Sequence, residues 1–138
     1  KNIAVIYEET DYAKGLKLEM EKNLKGTGVK MTSESFVSGA TDVRSQLTKL
    51  NAINPDMLFV SVQTVPSGEM VLTQMEQLKF NPTMFINDNI LKAGALVKAH
   101  SALLDGAIGG DYVFKDSEKL NQILAKYKAK YGLHRCNK

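Results

Sequence analysis

Three polar clusters in this chain each follow a short apolar run: Glu8-Glu9-Thr10-Asp11-Tyr12 after residues 3–7, Gln63-Thr64-Val65-Pro66-Ser67 after residues 57–62, and Asn87-Asp88-Asn89 after residues 83–86. Together they offer carboxylates, amides, hydroxyls and a phenol, with no lysine, arginine or histidine among them. Such a rim accepts hydrogen bonds and attracts positive charge, so it suits a ligand carrying an ammonium or neutral donors. Asp88 is the clearest counter-ion for an amine, and Tyr12 offers both a ring face and a hydroxyl. The same residue types also serve as caps and solvated turn residues where strands run into helices. Glu8 and Glu9 are assigned that plainer role, at the rim.

Other chemistries find little support. No G-x-G-x-x-G or Walker pattern is present, which argues against dinucleotides and nucleoside triphosphates. There is no nucleophile elbow, no Cys/His pair and no carboxylate dyad at a defined spacing, so catalysis is not expected. His100 falls in a helical stretch and His134 near the end, neither with a partner at ligand spacing, so no metal site is expected. The single cysteine, Cys136, forms no disulfide within the chain and no thiolate cluster, and reads as an incidental surface thiol. No cofactor is expected.

The elements that position these clusters follow from hydrophobic rhythm. Short apolar runs alternate with helical periodicity, the pattern of βα units. Residues 3–7 form a near-continuous apolar run, as in a strand buried on both faces of a parallel sheet. Leu16, Met20 and Leu24 then recur at helical spacing, with Asp11 as the expected N-cap and Gly26 and Gly28 as the stop. A more polar strand spans residues 29–37, and a helix carrying Val43, Leu47, Leu50 and Ile53 follows a cap at Thr41 or Asp42. Pro55 ends that helix by biasing Asn54 away from the α region.

The most apolar strand, residues 57–62, is expected at the centre of the sheet, followed by a helix with Val71, Leu72, Met75 and Leu78. A fourth strand over residues 83–86, a helical stretch over residues 90–104 and a short glycine-broken strand over residues 105–114 come next. The last helix is expected to turn Leu120, Ile123, Leu124, Tyr127 and Tyr131 inward and to close at Gly132. The expectation is an α/β fold: a doubly wound, mostly parallel sheet of about five strands with helices on both faces. Ligands of such sheets sit outside the carboxyl ends of the strands, where the three polar clusters fall.

With 138 residues, 43% of them hydrophobic, the chain can close one core and is short for two ordinary domains. A net charge of +3, spread along helical segments, gives no footprint for nucleic acid. No apolar stretch approaches the roughly 20 residues needed to cross a bilayer.

The segments KNIAVIYEETDYAKGL, FVSGATDVRSQLTKLNAINPDMLFV, VLTQMEQLKFNPTMFINDN, LLDGAIGGDYVF and LAKYKAKYG, in that order and spacing, resemble the second lobe of a type I periplasmic binding protein of the branched-chain amino-acid transporter receptor family. The second segment is the most specific, because it combines a glycine, a Thr-Asp helix cap and a Pro-Asp before an apolar strand. The resemblance implies a single α/β lobe over residues 1–132 with a tail at 133–138. It also implies that another lobe, absent from this chain, closes over a small amino-acid-like ligand by a hinge. It further implies an ABC permease as partner of the full-length protein and a periplasmic or otherwise extracytoplasmic location.

For the site, the resemblance places Tyr12 where the family has a cleft-lining tyrosine and Asp88 where its amino-acid binders have an acid contacting the ligand ammonium. It places Gln63 and Thr64 in a loop that supplies further cleft contacts. Ala13 stands where the family usually has a glycine. Two other readings share the βα rhythm. An effector-binding domain of a regulator or sensory receptor has the same fold, since fold does not fix function. A receiver-like signalling domain would pair Glu8 with Glu9 as its acids, but Ser61 stands where a phospho-acceptor aspartate is wanted.

Overall fold

The computed structural model describes residues 1–111 and 117–132 of the chain. Five strands form one sheet in the order β2-β1-β3-β4-β5, and every adjacent pair runs parallel. The strands are β1 (Asn2–Glu8), β2 (Lys30–Phe36), β3 (Met57–Ser61), β4 (Thr83–Ile86) and β5 (Ile108–Gly109). Between and after them lie α1 (Asp11–Leu24), α2 (Arg44–Ala52), α3 (Val65–Gln77), α4 (Asp88–Leu91), α5 (Gly94–Ala99) and α6 (Glu118–Tyr131). The chain steps from β1 out to β2 and then crosses back over β1 to β3. The strand order therefore reverses between β1 and β3, and that is the topological switch point.

The period-two alternation of the strands divides the interior into two layers. Ala4 and Ile6 of β1, Leu58 and Val60 of β3, and Met84 and Ile86 of β4 belong to the larger core cluster with Leu47 of α2 and Leu72 of α3. Val5 and Phe59 point the other way and are buried on the face that carries Ala13 of α1, where the Ser61 hydroxyl donates to the Ala13 carbonyl at 3.2 Å. The polar β2 takes the sheet edge, where one flank meets water.

Several local details differ from the sequence expectation. The N-cap of α1 is Thr10, in extended backbone with its hydroxyl accepting from the Ala13 N–H. Asp11 instead sits in the first turn, where its charge complements the helix dipole. Helix α2 begins one residue after Val43, whose N–H is taken by the Gln74 side chain of α3 at 2.7 Å. Asp42 accepts from the Arg44 N–H without being the N-cap, and Thr41 gives its carbonyl to Gln74. The stretch 90–104 is two short helices, α4 and α5, separated at Lys92 and Ala93, not one.

Helix α6 is capped by Ser117, whose hydroxyl accepts from the Leu120 N–H, and closed by Gly132 in the left-handed region. Its apolar positions are not turned into a core: Ile123 is 55% exposed and Tyr127 51%. Leu120 and Leu124 are half-buried. Amphipathic spacing specifies which side chains share a face, but not whether another element covers that face. The expected strand over residues 105–114 is realised as the two-residue β5, while its residues 112–114, the side chain of Tyr131, and the tail with His134 and Cys136 lie outside the described residues. Among the described residues, no helix is long and apolar enough to cross a membrane.

Candidate functional site

Two of the four residues singled out in the sequence meet at one place. Tyr12 stands in the first turn of α1, which the Thr10 cap fixes at the carboxyl end of β1. Asp88 is the first residue of α4, just beyond the carboxyl end of β4. The Tyr12 hydroxyl donates to Asp88 Oδ1. The Asp88 side chain is only 13% exposed, so its charge is held largely out of water.

Both residues line a cavity of about 180 Å³ whose apolar floor is Leu16 of α1, Phe59 of β3 and Phe85 of β4. The two rings stack at 5.0 Å between centroids, tilted by 41°. Gly110 and Asp111, just past β5, complete the rim, and Gly110 is held to the sheet through its N–H to the Ile86 carbonyl at 3.1 Å. Lys92 bridges the two acids, 2.6 Å from Asp111 Oδ1 and 3.4 Å from Asp88 Oδ2. The hydrogen bond to Asp111 is the main cause that raises the Lys92 pKa, so its ammonium stays charged. Among the described residues this rim sets two carboxylates, Asp88 and Asp111, against the one ammonium of Lys92.

The turn that carries Asp88 is tied to its neighbour on both sides. Asn87 and Asn89 donate their side-chain amides to the same carbonyl, that of Val62, at 2.6 and 3.1 Å. Asn87, a residue of the cavity lining, is 4% exposed, and its Oδ1 is buried with no hydrogen-bond partner among the described residues. Buried polar atoms are normally paired, so this acceptor is an exception in the turn that carries Asp88.

Gln63 and Thr64 do not join Tyr12 and Asp88 around this cavity. Both side chains are exposed in the turn from β3 into α3. Thr64 is the N-cap of α3, its hydroxyl accepting from the Ser67 N–H at 3.3 Å. It borders a separate groove with Thr41 and Arg44. The Gln63 contribution is its backbone N–H, donated at 2.7 Å to a carboxylate expected at the solvated rim.

That carboxylate is Glu8, and its placement corrects the expectation: it is 1% exposed. One oxygen accepts from the Ser38 hydroxyl at 2.6 Å and the other from the Gln63 N–H. Burial pushes its pKa up, but the Ser38 and Gln63 donors, helped by the nearby Ser67 hydroxyl and Thr64 N–H, outweigh burial and hold it below the ordinary 4.5. The signal was present in the alternation: Glu8 shares parity with Ala4 and Ile6, so β1 must turn it toward the same core face. Glu9 points elsewhere and accepts from the Ser35 hydroxyl at 2.7 Å. The two acids therefore do not form the pair that a receiver-like site needs.

His100 is engaged outside this cavity. It is 5% exposed, with Nδ1 2.9 Å from Glu76 and Nε2 3.3 Å from Glu69, so two carboxylates of α3 grip the end of α5. Burial pushes its pKa down, and the two carboxylates more than reverse that, leaving it above the ordinary 6.5. Among the described residues, no group of three His, Cys, Asp or Glu side chains could hold a metal ion.

No protein-family model matches the chain, and no curated protein matches it in sequence. Solved structures do match in three dimensions. A leucine-binding protein from Thermotoga maritima is similar over 97% of this chain and 39% of its own, with a TM-score of 0.71 at 22% identity. A type 1 periplasmic binding protein from Bordetella pertussis is similar over 98% of this chain and 37% of its own, with a TM-score of 0.66 at 23% identity. A branched-chain amino-acid transporter substrate-binding protein from Streptococcus pneumoniae, solved in complex with isoleucine, is similar over 96% of this chain and 38% of its own, with a TM-score of 0.63 at 22% identity. The chain thus has the α/β fold of the type I periplasmic binding proteins and spans about two fifths of the length of these matches.

Proposed function

We propose that residues 1–132 are one lobe of a two-lobe solute-binding protein, with 133–138 as a tail, and that the lobe supplies the amine-recognising wall of the ligand cleft. The observation that carries this reading is Asp88: a carboxylate 13% exposed, oriented by Tyr12, beside a cavity with an aromatic floor at the carboxyl edge of a parallel sheet. Ligands of such sheets bind at that edge. The cavity is half a site, in need of a second wall to bury a ligand. A ligand ammonium would displace Lys92 from Asp88 while Lys92 keeps Asp111.

The ligand class is an amino acid or a related small metabolite. Gln63 and Thr64 would meet it only through the opposing lobe, since they lie outside the cavity. The role is transport rather than catalysis, with an ABC permease as the downstream partner and an extracytoplasmic location. Support for these finer points is the fold shared with the leucine-binding and isoleucine-complexed proteins.

The test is calorimetric titration of the two-lobe protein with amine-bearing metabolites. Asp88→Ala is expected to weaken binding by about 3–5 kcal/mol, because removing one partner strands a buried charge. Tyr12→Phe is expected to cost about 1–2 kcal/mol through the lost hydrogen bond. Unchanged affinity in Asp88→Ala would remove the site assignment and leave the fold untouched.

A further inference from the structure

The crevice at the switch point, between the carboxyl ends of β1 and β3, is where a doubly wound sheet ordinarily receives a ligand. Here it holds a side chain of the protein itself. Glu8 ends β1, and its carboxylate reaches the turn from β3 into α3, where Gln63 gives its N–H at 2.7 Å. Helix α3, 13 residues long, begins two residues later, so this carboxylate lies at the positive end of its dipole. On the other side the Ser38 hydroxyl, from the turn between β2 and α2, closes over it at 2.6 Å. Backbone N–H groups and hydroxyls around the start of a helix are what a protein uses to bind a ligand carboxylate or phosphate. In this chain two such donors, the Ser38 hydroxyl and the Gln63 N–H, are already taken by Glu8.

We infer that Glu8 is a specificity-determining residue: a built-in anion that occupies the switch-point crevice, bars acidic ligand groups from it, and so leaves this wall open only to the cationic or hydrogen-bond-donating end of a ligand. The inference rests on the amine-recognising wall proposed above and explains its one-sidedness. The Asp88 cavity, floored by Phe59 and Phe85, opens on the face of the sheet opposite Glu8 and toward β4 and β5, and among the described residues its rim carries the Asp88 and Asp111 carboxylates. A second effect follows from connectivity. Glu8 fixes Gln63, the next residue back is Val62, and the Val62 carbonyl holds both Asn87 and Asn89 around Asp88. Glu8 is thus also a positioning residue for the turn that carries the amine counter-ion.

The experiment uses acetate as the probe, because it is the group removed when Glu8 is cut back. Thermal unfolding and amide NMR spectra of the chain are recorded for the wild type, Glu8→Ala and Glu8→Gln, in sodium acetate against matched sodium chloride. Acetate is expected to raise the Tm of Glu8→Ala saturably, by at least about 3 °C, with the Gln63 and Thr64 amides shifting together. Wild type and Glu8→Gln, in which the crevice is filled, are expected not to respond. If Glu8→Ala is unfolded in chloride, acetate is expected to restore its circular dichroism. No saturable effect on Glu8→Ala, no refolding of an unfolded Glu8→Ala, or an equal effect on all three proteins would overturn the inference. Repeating the titration in Glu8→Ala with Asp88→Asn separates the two readings: acetate rescue survives there if Glu8 is the internal anion, whatever becomes of amine binding.

Discussion

Glu8 and Asp88 are both carboxylates at strand ends, and their surroundings give them opposite roles. Glu8 is spent inside the protein, with hydrogen bonds from two segments, whereas Asp88 keeps an edge toward a cavity and shares a lysine with Asp111. Because the folded-state pKa of Glu8 is depressed, its contribution to stability is fully present above 4.5 and is lost as pH falls through the lower folded value. Glu8→Gln is expected to lose about 1–3 kcal/mol near neutral pH, since an amide donor would face donors, and to show a shallower loss of stability on acidification than the wild type. Urea denaturation across that acid range checks both. An equally steep acid limb in Glu8→Gln would assign the limb to other carboxylates.

At the scale of elements, the ends of helices decide what the sequence could and could not disclose. The strands and the long helices were legible because their apolar spacing is imposed by burial: Leu16, Leu47, Leu72 and Met75 all lie where periodicity places them. Thr10 was passed over as a cap because Asp11 is equally apt by type, and only the backbone angles choose between them. The end of α3 carried no signal, since no glycine marks it. It closes as a Schellman turn, Phe80 N–H to Met75 O and Lys79 N–H to Glu76 O, both at 3.0 Å, with Lys79 at φ 53°. A lysine there bears the left-handed strain that glycine avoids. Lys79→Gly is therefore expected to stabilise the chain by about 0.5–1 kcal/mol, read as a higher urea midpoint at unchanged m-value. A lower midpoint would mean that the lysine side chain contributes more than its backbone costs.

For the whole molecule, the fold was readable from the alternation of elements, and the shared fold with periplasmic binding proteins agrees with the resemblance carried by the quoted segments. The geometry of the candidate site was half readable. Tyr12 and Asp88 stand together because both belong to helix starts at the carboxyl edge of the sheet, after β1 and β4, and reach toward each other past the end of β3. Gln63 and Thr64 belong to the switch-point turn, which Glu8 has closed. Phe59 and Phe85 were legible as core but not as a cavity floor, because residue type does not tell which part of a sheet face a helix leaves open. Lys92 and Asp111 were missed because they come from separate elements that only the packed chain brings within 2.6 Å.

The central claim is that this lobe selects for an amine through Asp88. The measurement that tests it most directly is isothermal titration of the two-lobe protein with a matched pair: an amino acid that it binds, and the same acid lacking the amino group. The wild type is expected to favour the amine-bearing member by about 100-fold or more, a difference of about 3 kcal/mol for one buried charge-assisted contact, and Asp88→Asn to erase most of that preference. Equal affinity for the two members in the wild type, or a preference that survives Asp88→Asn intact, would contradict it.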